Sequence, residues 1–168
     1  MGYNVIMEMV TTKDVFGKTY EVEAEKLVPS VHVYGIAVQD GKALISPQFD
    51  GYDWPGGTFE LGEDTVDTLK REFKGETGYD VEPEKLLGTY TSFFHHHKRN
   101  LDYQSFLVFY LVKVVGGEIS TDGFDMDEKE YAKRACWVNL DNLATMRHAC
   151  SIDIADELLR YAREAILR

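Results

Sequence analysis

The segment GTFELGEDTVDTLKREFKGETGY at residues 57–79 constrains the fold more than any other part of the chain. It follows a Trp54-Pro55-Gly56-Gly57 turn and ends at Gly78-Tyr79, with helix-forming sequence between. Asp64 or Thr65 can cap the helix, because a short side-chain oxygen there satisfies N–H groups that the first turn leaves free. Gly78 suits the left-handed residue that ends a helix. Val66, Leu69 and Phe73 recur at helical spacing and make a stripe that must face a core. Glu72 and Glu76 stand one turn apart, about 40° around the axis, on the flank of that stripe. That edge, where helix meets core, suits side chains that ligate from a fixed direction. Glu63 can pair with Arg71 two turns later, locking the entry loop to the helix and leaving Glu72 and Glu76 for a metal.

The flanking sequence predicts strands. Residues 3–10 and 18–28 are β-prone around a turn at Phe16-Gly17, and Val31–Val38 alternates before an Asp40-Gly41 hairpin turn into Ala43–Ser46. Tyr52-Asp53-Trp54 makes a short strand into the glycine turn. Leu86–Phe94 and Leu101–Val115 read as strands joined by His95–Asn100, with Gly116-Gly117 ending the second. An acidic loop at Asp122–Glu130 precedes a strand at Ala135–Val138 and a short helix at Asn139–Met146. Ala155, Leu158, Leu159, Ala162 and Ile166 share one face of a terminal helix capped by Ser151 or Asp153. Strands on either side of a central helix, with another helix at the end, predict a layered α/β domain.

A chain of 168 residues corresponds to about one domain. No apolar run approaches the ~18 residues of a membrane span, and the N-terminus lacks the basic and apolar regions of a signal peptide. Cys136 and Cys150 make no disulfide framework, which fits a reducing compartment and a cytoplasmic location. The net charge of −11 disfavours a nucleic-acid polymer as partner. It also repels a small anion unless a cation or a local basic patch mediates. His95-His96-His97-Lys98-Arg99 is such a patch. It reads as an exposed hairpin connection, as a contact for a distal phosphate or as a transition-metal site.

The constellation at 57–79 resembles the Nudix box, Gly-x5-Glu-x7-Arg-Glu-U-x-Glu-Glu-x-Gly-U, where U is bulky and apolar. Gly57, Glu63, Arg71, Glu72, Glu76 and Gly78 match in register, and Phe73 and Tyr79 fill the apolar positions. Trp54-Pro55-Gly56-Gly57 and Cys136-Trp137-Val138 also look like this family. The resemblance implies the α/β Nudix fold, a mixed β-sheet sandwiched between α-helices in three α/β/α layers. It implies one Nudix domain over 1–168, with a β-extension at 1–28 and a core at 29–168. The implied activity is a metal-dependent pyrophosphohydrolase that cleaves a nucleoside diphosphate linked to another moiety. Mg2+ would serve, or Mn2+ in its place. Glu72 and Glu76 would then hold the metal, with the Gly57 carbonyl as a third ligand. Arg71 would orient the carboxylates and Glu63 would hold Arg71. The general base differs among family members, with Glu130 and Glu128 the candidates here in a stretch, Asp122–Glu130, that also reads as a solvated acidic loop. Homodimers are common in the family, and residues 1–28 could form an exchanged sheet.

Gly75 departs from the pattern, standing where the family usually has the first glutamate of a pair. Three consequences stay open. The site binds fewer metals, an acid from Asp122–Glu130 compensates, or the domain binds ligand with weak or no catalysis. An isomerase of the same fold acting on an isoprenyl diphosphate is disfavoured by the lack of a well-placed cysteine. Tyr34, Tyr52, Trp54, Phe93, Phe94, Tyr103 and Phe124 are candidates to stack on a base, and His97 and Arg99 to meet the distal phosphate. The Trp-Pro-Gly-Gly variant looks more like nucleotide or sugar-nucleotide hydrolases than ADP-ribose enzymes.

Overall fold

The computed structural model describes residues 8–124, 130, 132–149 and 154–166. The strands among them are β1 (Met9–Lys13), β2 (Thr19–Glu23), β3 (Val28–Gln39), β4 (Lys42–Gln48), β5 (Gly51–Asp53), β6 (Gly56–Thr58), β7 (Tyr79–His96), β8 (Leu101–Gly117) and β9 (Cys136–Asn139). The helices are α1 (Thr65–Thr77), α2 (Leu140–Leu143) and α3 (Ala155–Ile166). The sheet runs β2-β1-β7-β8-β3-β4-β5, with β6 paired to β3 and β9 to β4. Strand β3 is its centre. It lies parallel to β8 from Val28↔Tyr103 to Ala37↔Val112, and antiparallel to β4 and β6.

Alternation along β3 divides the core between two faces. Val33 and Ala37 join Leu44, Val112 and the α1 residues Leu69 and Phe73 on one side. Ile36, with Ala43, Ile45, Leu107 and Phe109, meets Leu140 and Leu143 of α2 and Leu158, Leu159 and Ala162 of α3 on the other. Helices therefore cover both faces of a mixed sheet, which is the α/β/α arrangement. The hairpin turn at Asp40-Gly41 has φ of 50° and 73°, the left-handed pair that matches strand twist.

Helix α1 is held at both ends by its own sequence. Asp64 accepts from the N–H groups of Val66 and Asp67 at 2.8 and 2.9 Å. Gly78, at φ 80°, returns its N–H to Lys74 O at 2.8 Å. The helix presses close to β3 because Gly35 has no side chain. A Cβ there would come 2.8 Å from Phe73 Cδ2 and 3.2 Å from Leu69 Cδ1.

Several boundaries differ from the sequence reading. Strand β7 begins at Tyr79 rather than Leu86, because the acidic stretch after the helix pairs with the end of β8. Register shifts around Pro83 let it do so without the proline N–H. His95 belongs to β7 and is buried, so the exposed connection is shorter than His95–Asn100. The second β-prone stretch divides into β2, a 3-10 turn at Ala24–Lys26 and the start of β3. Residues 3–7, Glu128 and most of the acidic loop, Cys150, the caps Ser151 and Asp153, and the Ile166 side chain lie outside what is described. No described helix is long and apolar enough to cross a membrane.

The Gly35 contact is testable. Gly35→Ala forces a methyl group against a fully buried ring and should lower stability by about 1–3 kcal/mol. A urea titration should show a lower midpoint at unchanged slope. An unchanged midpoint would contradict the close packing of α1 on β3.

Candidate active site

The glycine turn before α1 sets the site. Gly56 sits at φ 154°, and a Cβ on it would lie 2.2 Å from Val33 O, so only glycine lets β6 pair this closely with β3. Its N–H donates to Glu76 Oε2 at 3.2 Å. Next to it, a Cβ on Gly57 would come 2.6 Å from the Glu72 carboxyl carbon. The two carboxylates thus rest on two successive glycines. Ser46 Oγ, from β4, adds a 2.7 Å hydrogen bond to Glu76 Oε2.

Arg71 ties the entry loop to the helix. Its Nε and Nη2 donate to Glu63 Oε1 and Oε2 at 2.6 and 2.9 Å, a bidentate pair, and Nη2 also donates to Thr58 O at 2.9 Å. Nη1 reaches Glu72 Oε1 at 2.8 Å. Thr68 Oγ1 donates to Glu63 Oε2 at 2.9 Å. The Arg71 bonds, with Thr68 adding, bring the Glu63 carboxyl down to about 2 against an ordinary 4.5. Glu72 moves the other way. Burial raises it, and Arg71 offsets only part of that rise.

Glu72 and Glu76 face one cleft of about 310 Å³. Its walls include Ser30 and His32 of β3, Gln48 at the end of β4 and Phe49 after it, Thr58 of β6, and Phe94, His96 and Tyr103 of the β7–β8 pair. Phe94 and Tyr103 are direct cross-strand partners. His97, Lys98 and Arg99, in the turn between β7 and β8, bring the basic patch to the opening. His32 contacts Ser30 Oγ through Nε2 at 3.0 Å, and burial pushes its imidazole down to about 4, so it is neutral at pH 7.

Other sequence candidates fall elsewhere. Trp54 is 1% exposed and packs with Tyr52 in the core beneath α3, because β5 turns it inward, so it is not a wall of the cleft. Phe124 is also buried and does not line the cleft. Glu130 is exposed and ion-paired with Lys98 at the rim. His95 points away from the cleft, its ring stacked on Tyr20 and its Nδ1 3.0 Å from Asp102 Oδ1, so the three histidines do not converge. Ser46, His32 and Val15 belong to the site or its walls and were not singled out as site residues in the sequence, which read Gly56 only as part of the turn before the helix. Only Ser46 carried a signal, as a polar residue buried at the end of the apolar run Ala43–Ile45.

Among the described residues no group of three or more His, Cys, Asp or Glu side chains forms a metal cage. The donor set is the Glu72 and Glu76 pair beside the Gly56-Gly57 backbone. Two carboxylates suit Mg2+, which takes one or two protein ligands and completes its shell with phosphate oxygens and water. A buried carboxylate that Arg71 only partly compensates also favours a cation nearby. Gly75 faces the loop carrying Gly123. A Cβ on Gly75 would lie 3.7 Å from Gly123 O, and one on Gly123 would come 2.6 Å from Gly75 O.

A family model described as NUDIX domain matches residues 26–158. Over 95 residues the chain is 28% identical to the Bacillus subtilis (strain 168) protein named "Putative ADP-ribose pyrophosphatase YjhB", a match covering 55% of this chain and 45% of that protein. The chain thus spans less than half the length of that curated relative. Among solved structures, an ADP-ribose pyrophosphatase from Streptococcus suis 89-1591 is similar at TM-score 0.60 and 23% identity, covering 84% of this chain and 94% of that one. A mutator MutT protein from Bacillus halodurans gives 0.61 and 21%, covering 77% and 82%. A UDP-X diphosphatase gives 0.59 and 19%, covering 83% and 64%. At these identities the likeness to solved structures is one of fold.

Two outcomes follow from the geometry. The Glu63 carboxyl is depressed on folding, so its stabilisation is full above about 4.5 and is lost as pH falls toward 2. Glu63→Gln should be less stable than the parent at pH 7, with the gap closing in thermal melts below that window; a gap independent of pH would contradict the ion pair. Gly75→Ala has room for its methyl group and should raise stability by about 0.5–1 kcal/mol. A lower melting midpoint would show that the Gly123 contact tolerates no side chain.

Proposed function

The chain belongs to the NUDIX domain family, and on that premise we propose that it is a metal-dependent pyrophosphohydrolase acting on a nucleoside diphosphate linked to a second group. The observation that carries the reading is the placement of Glu72 and Glu76 on the Gly56-Gly57 backbone, both facing one cleft whose opening carries Lys98 and Arg99. In this reading the whole chain is a single domain with residues 1–28 as a β-extension. The named relatives include ADP-ribose pyrophosphatases and a UDP-X diphosphatase. Nucleoside diphosphate sugars, ADP-ribose among them, are therefore the substrates proposed.

Hydrolysis of a pyrophosphate meets an anionic centre that must accept a nucleophile and release another anion. A divalent cation such as Mg2+, when bound, neutralises phosphate oxygens and acidifies water. Glu72 and Glu76 would hold it, with the Gly57 carbonyl as a third donor. Ser46 and the Gly56 N–H fix the Glu76 carboxylate, and Arg71 orients Glu72 while Glu63 holds Arg71. His97, Lys98 and Arg99 offer positive charge to the phosphates, which the rest of this acidic surface repels. Phe94 and Tyr103 line the same cleft and offer apolar surface to the group beyond the phosphates. Glu130 is the proposed acceptor of the water proton; it stands outside the cleft lining, ion-paired with Lys98, and would have to leave that pair to reach the water.

A second reading, a ligand-binding domain with weak catalysis, is favoured by the donor set of two carboxylates without the usual third at Gly75. A hydrolysis screen over nucleoside diphosphate derivatives with Mg2+ or Mn2+ separates the two. The parent should turn over at least one substrate. Glu76→Gln should lose about 100-fold or more in kcat with its melting midpoint retained. Ligands that raise the midpoint without any turnover would establish the binding reading instead.

A further inference from the structure

The β1–β2 hairpin lies before residue 26, where the family match begins, yet its turn forms part of the cleft. Val15 lines the cleft. The Phe16 ring meets Phe49 at 5.6 Å and His97 at 5.4 Å, both edge-on, and both of those rings are cleft walls. Three sets of contacts hold the turn in place. Asp14 Oδ1 accepts from the N–H groups of Phe16 and Lys18 at 2.9 Å each. Thr12 Oγ1 donates to Asp102 Oδ1 at 2.5 Å, and Tyr20 stacks on His95 at 3.8 Å, so the hairpin is tied to the strand pair whose tip carries His97. Arg147 Nη1 donates to Val15 O at 2.8 Å from the opposite side.

Despite these ties Phe16 is 62% exposed. A large ring held at the mouth of a cleft by a fixed turn, with most of its surface open, is shaped to be covered by another planar ring. Phe16 stands outside the lining of the cleft of about 310 Å³, but its neighbours Val15, Phe49 and His97 share that cleft with Glu72 and Glu76, so a base covering Phe16 would lie at the edge of the space that takes the pyrophosphate. We propose that Phe16 is a specificity-determining residue that packs on the base of the nucleotide, making the hairpin a wall of the binding site supplied by the same chain. The proposal rests on the pyrophosphate reading above.

The methylene analogue of ADP-ribose and methylenediphosphonate, neither cleavable at the bridging position, serve as base-bearing and base-free probes. Each is titrated calorimetrically with Mg2+ into the full chain, Phe16→Ala and Phe16→Trp. Phe16→Ala should weaken the ADP-ribose analogue about tenfold, leave methylenediphosphonate unchanged and keep the parent melting midpoint. Phe16→Trp should restore the lost affinity. Equal weakening of both probes, no weakening of the ADP-ribose analogue, or no restoration by tryptophan overturns the proposal while leaving the pyrophosphate reading in place. If the parent binds neither probe, the pyrophosphate reading falls and takes this proposal with it.

Discussion

The close approach of helix α1 to glycine backbone is the constraint on which the rest of the site depends. Gly35 lets Phe73 and Leu69 settle onto β3, Gly57 lets the Glu72 carboxylate of the same helix rest against β6, and the Gly56 N–H donates to Glu76. The core contact and the carboxylate contact are one rigid-body placement, since both are made by a single 13-residue helix capped at each end. Anything that lifts α1 from β3 therefore also moves the carboxylates. This is why a packing residue such as Gly35 belongs to the functional account as much as the acids do.

Charge is distributed around that placement with a clear division. Arg71 spends most of its donors on Glu63 and the Thr58 carbonyl, and gives one contact to Glu72. It fixes the loop more than it neutralises the site. Burial then leaves Glu72 short of compensation, while Glu76 is fixed by a hydroxyl and a backbone N–H. In a chain of net charge −11, the cations at the opening come from one turn between β7 and β8, anchored from behind by the buried His95–Asp102 contact and by the N-terminal hairpin. The site is thus anionic at its floor and basic at its rim, an order suited to a ligand that carries phosphate and meets a cation at the floor.

Much of this was legible in the sequence because α1 is locally determined. Asp64, the Leu69 and Phe73 stripe and Gly78 all specify the helix from neighbours within a few residues, and the Glu63–Arg71 pair spans only two turns. The layered fold followed from the same pattern. What sequence could not show were contacts set by long-range pairing. Ser46 meets Glu76 across 30 positions, and the hairpin that carries Val15 to the cleft is tied by Thr12 to Asp102 across 90 and by Arg147 to Val15 O across 132. Trp54 looked like a ligand platform, but β5 turns it into the core. His95 looked exposed among its basic neighbours, but strand alternation sends it inward while His96 faces the cleft. Gly75 reads as a lost acid in the sequence. In the fold it is also the place where the loop carrying Gly123 passes backbone to backbone.

The proposed chemistry requires Glu72 and Glu76 together to hold a cation at the floor of the cleft. Titration of Mn2+ into the chain without nucleotide, followed by loss of the free-ion electron paramagnetic resonance signal, tests it most directly. Saturable binding of about one ion per chain is expected, in line with a site of two carboxylates, and it should be lost when Glu72 and Glu76 are both changed to glutamine. Saturable binding that survives the double substitution, or no saturable binding in the parent, would contradict it.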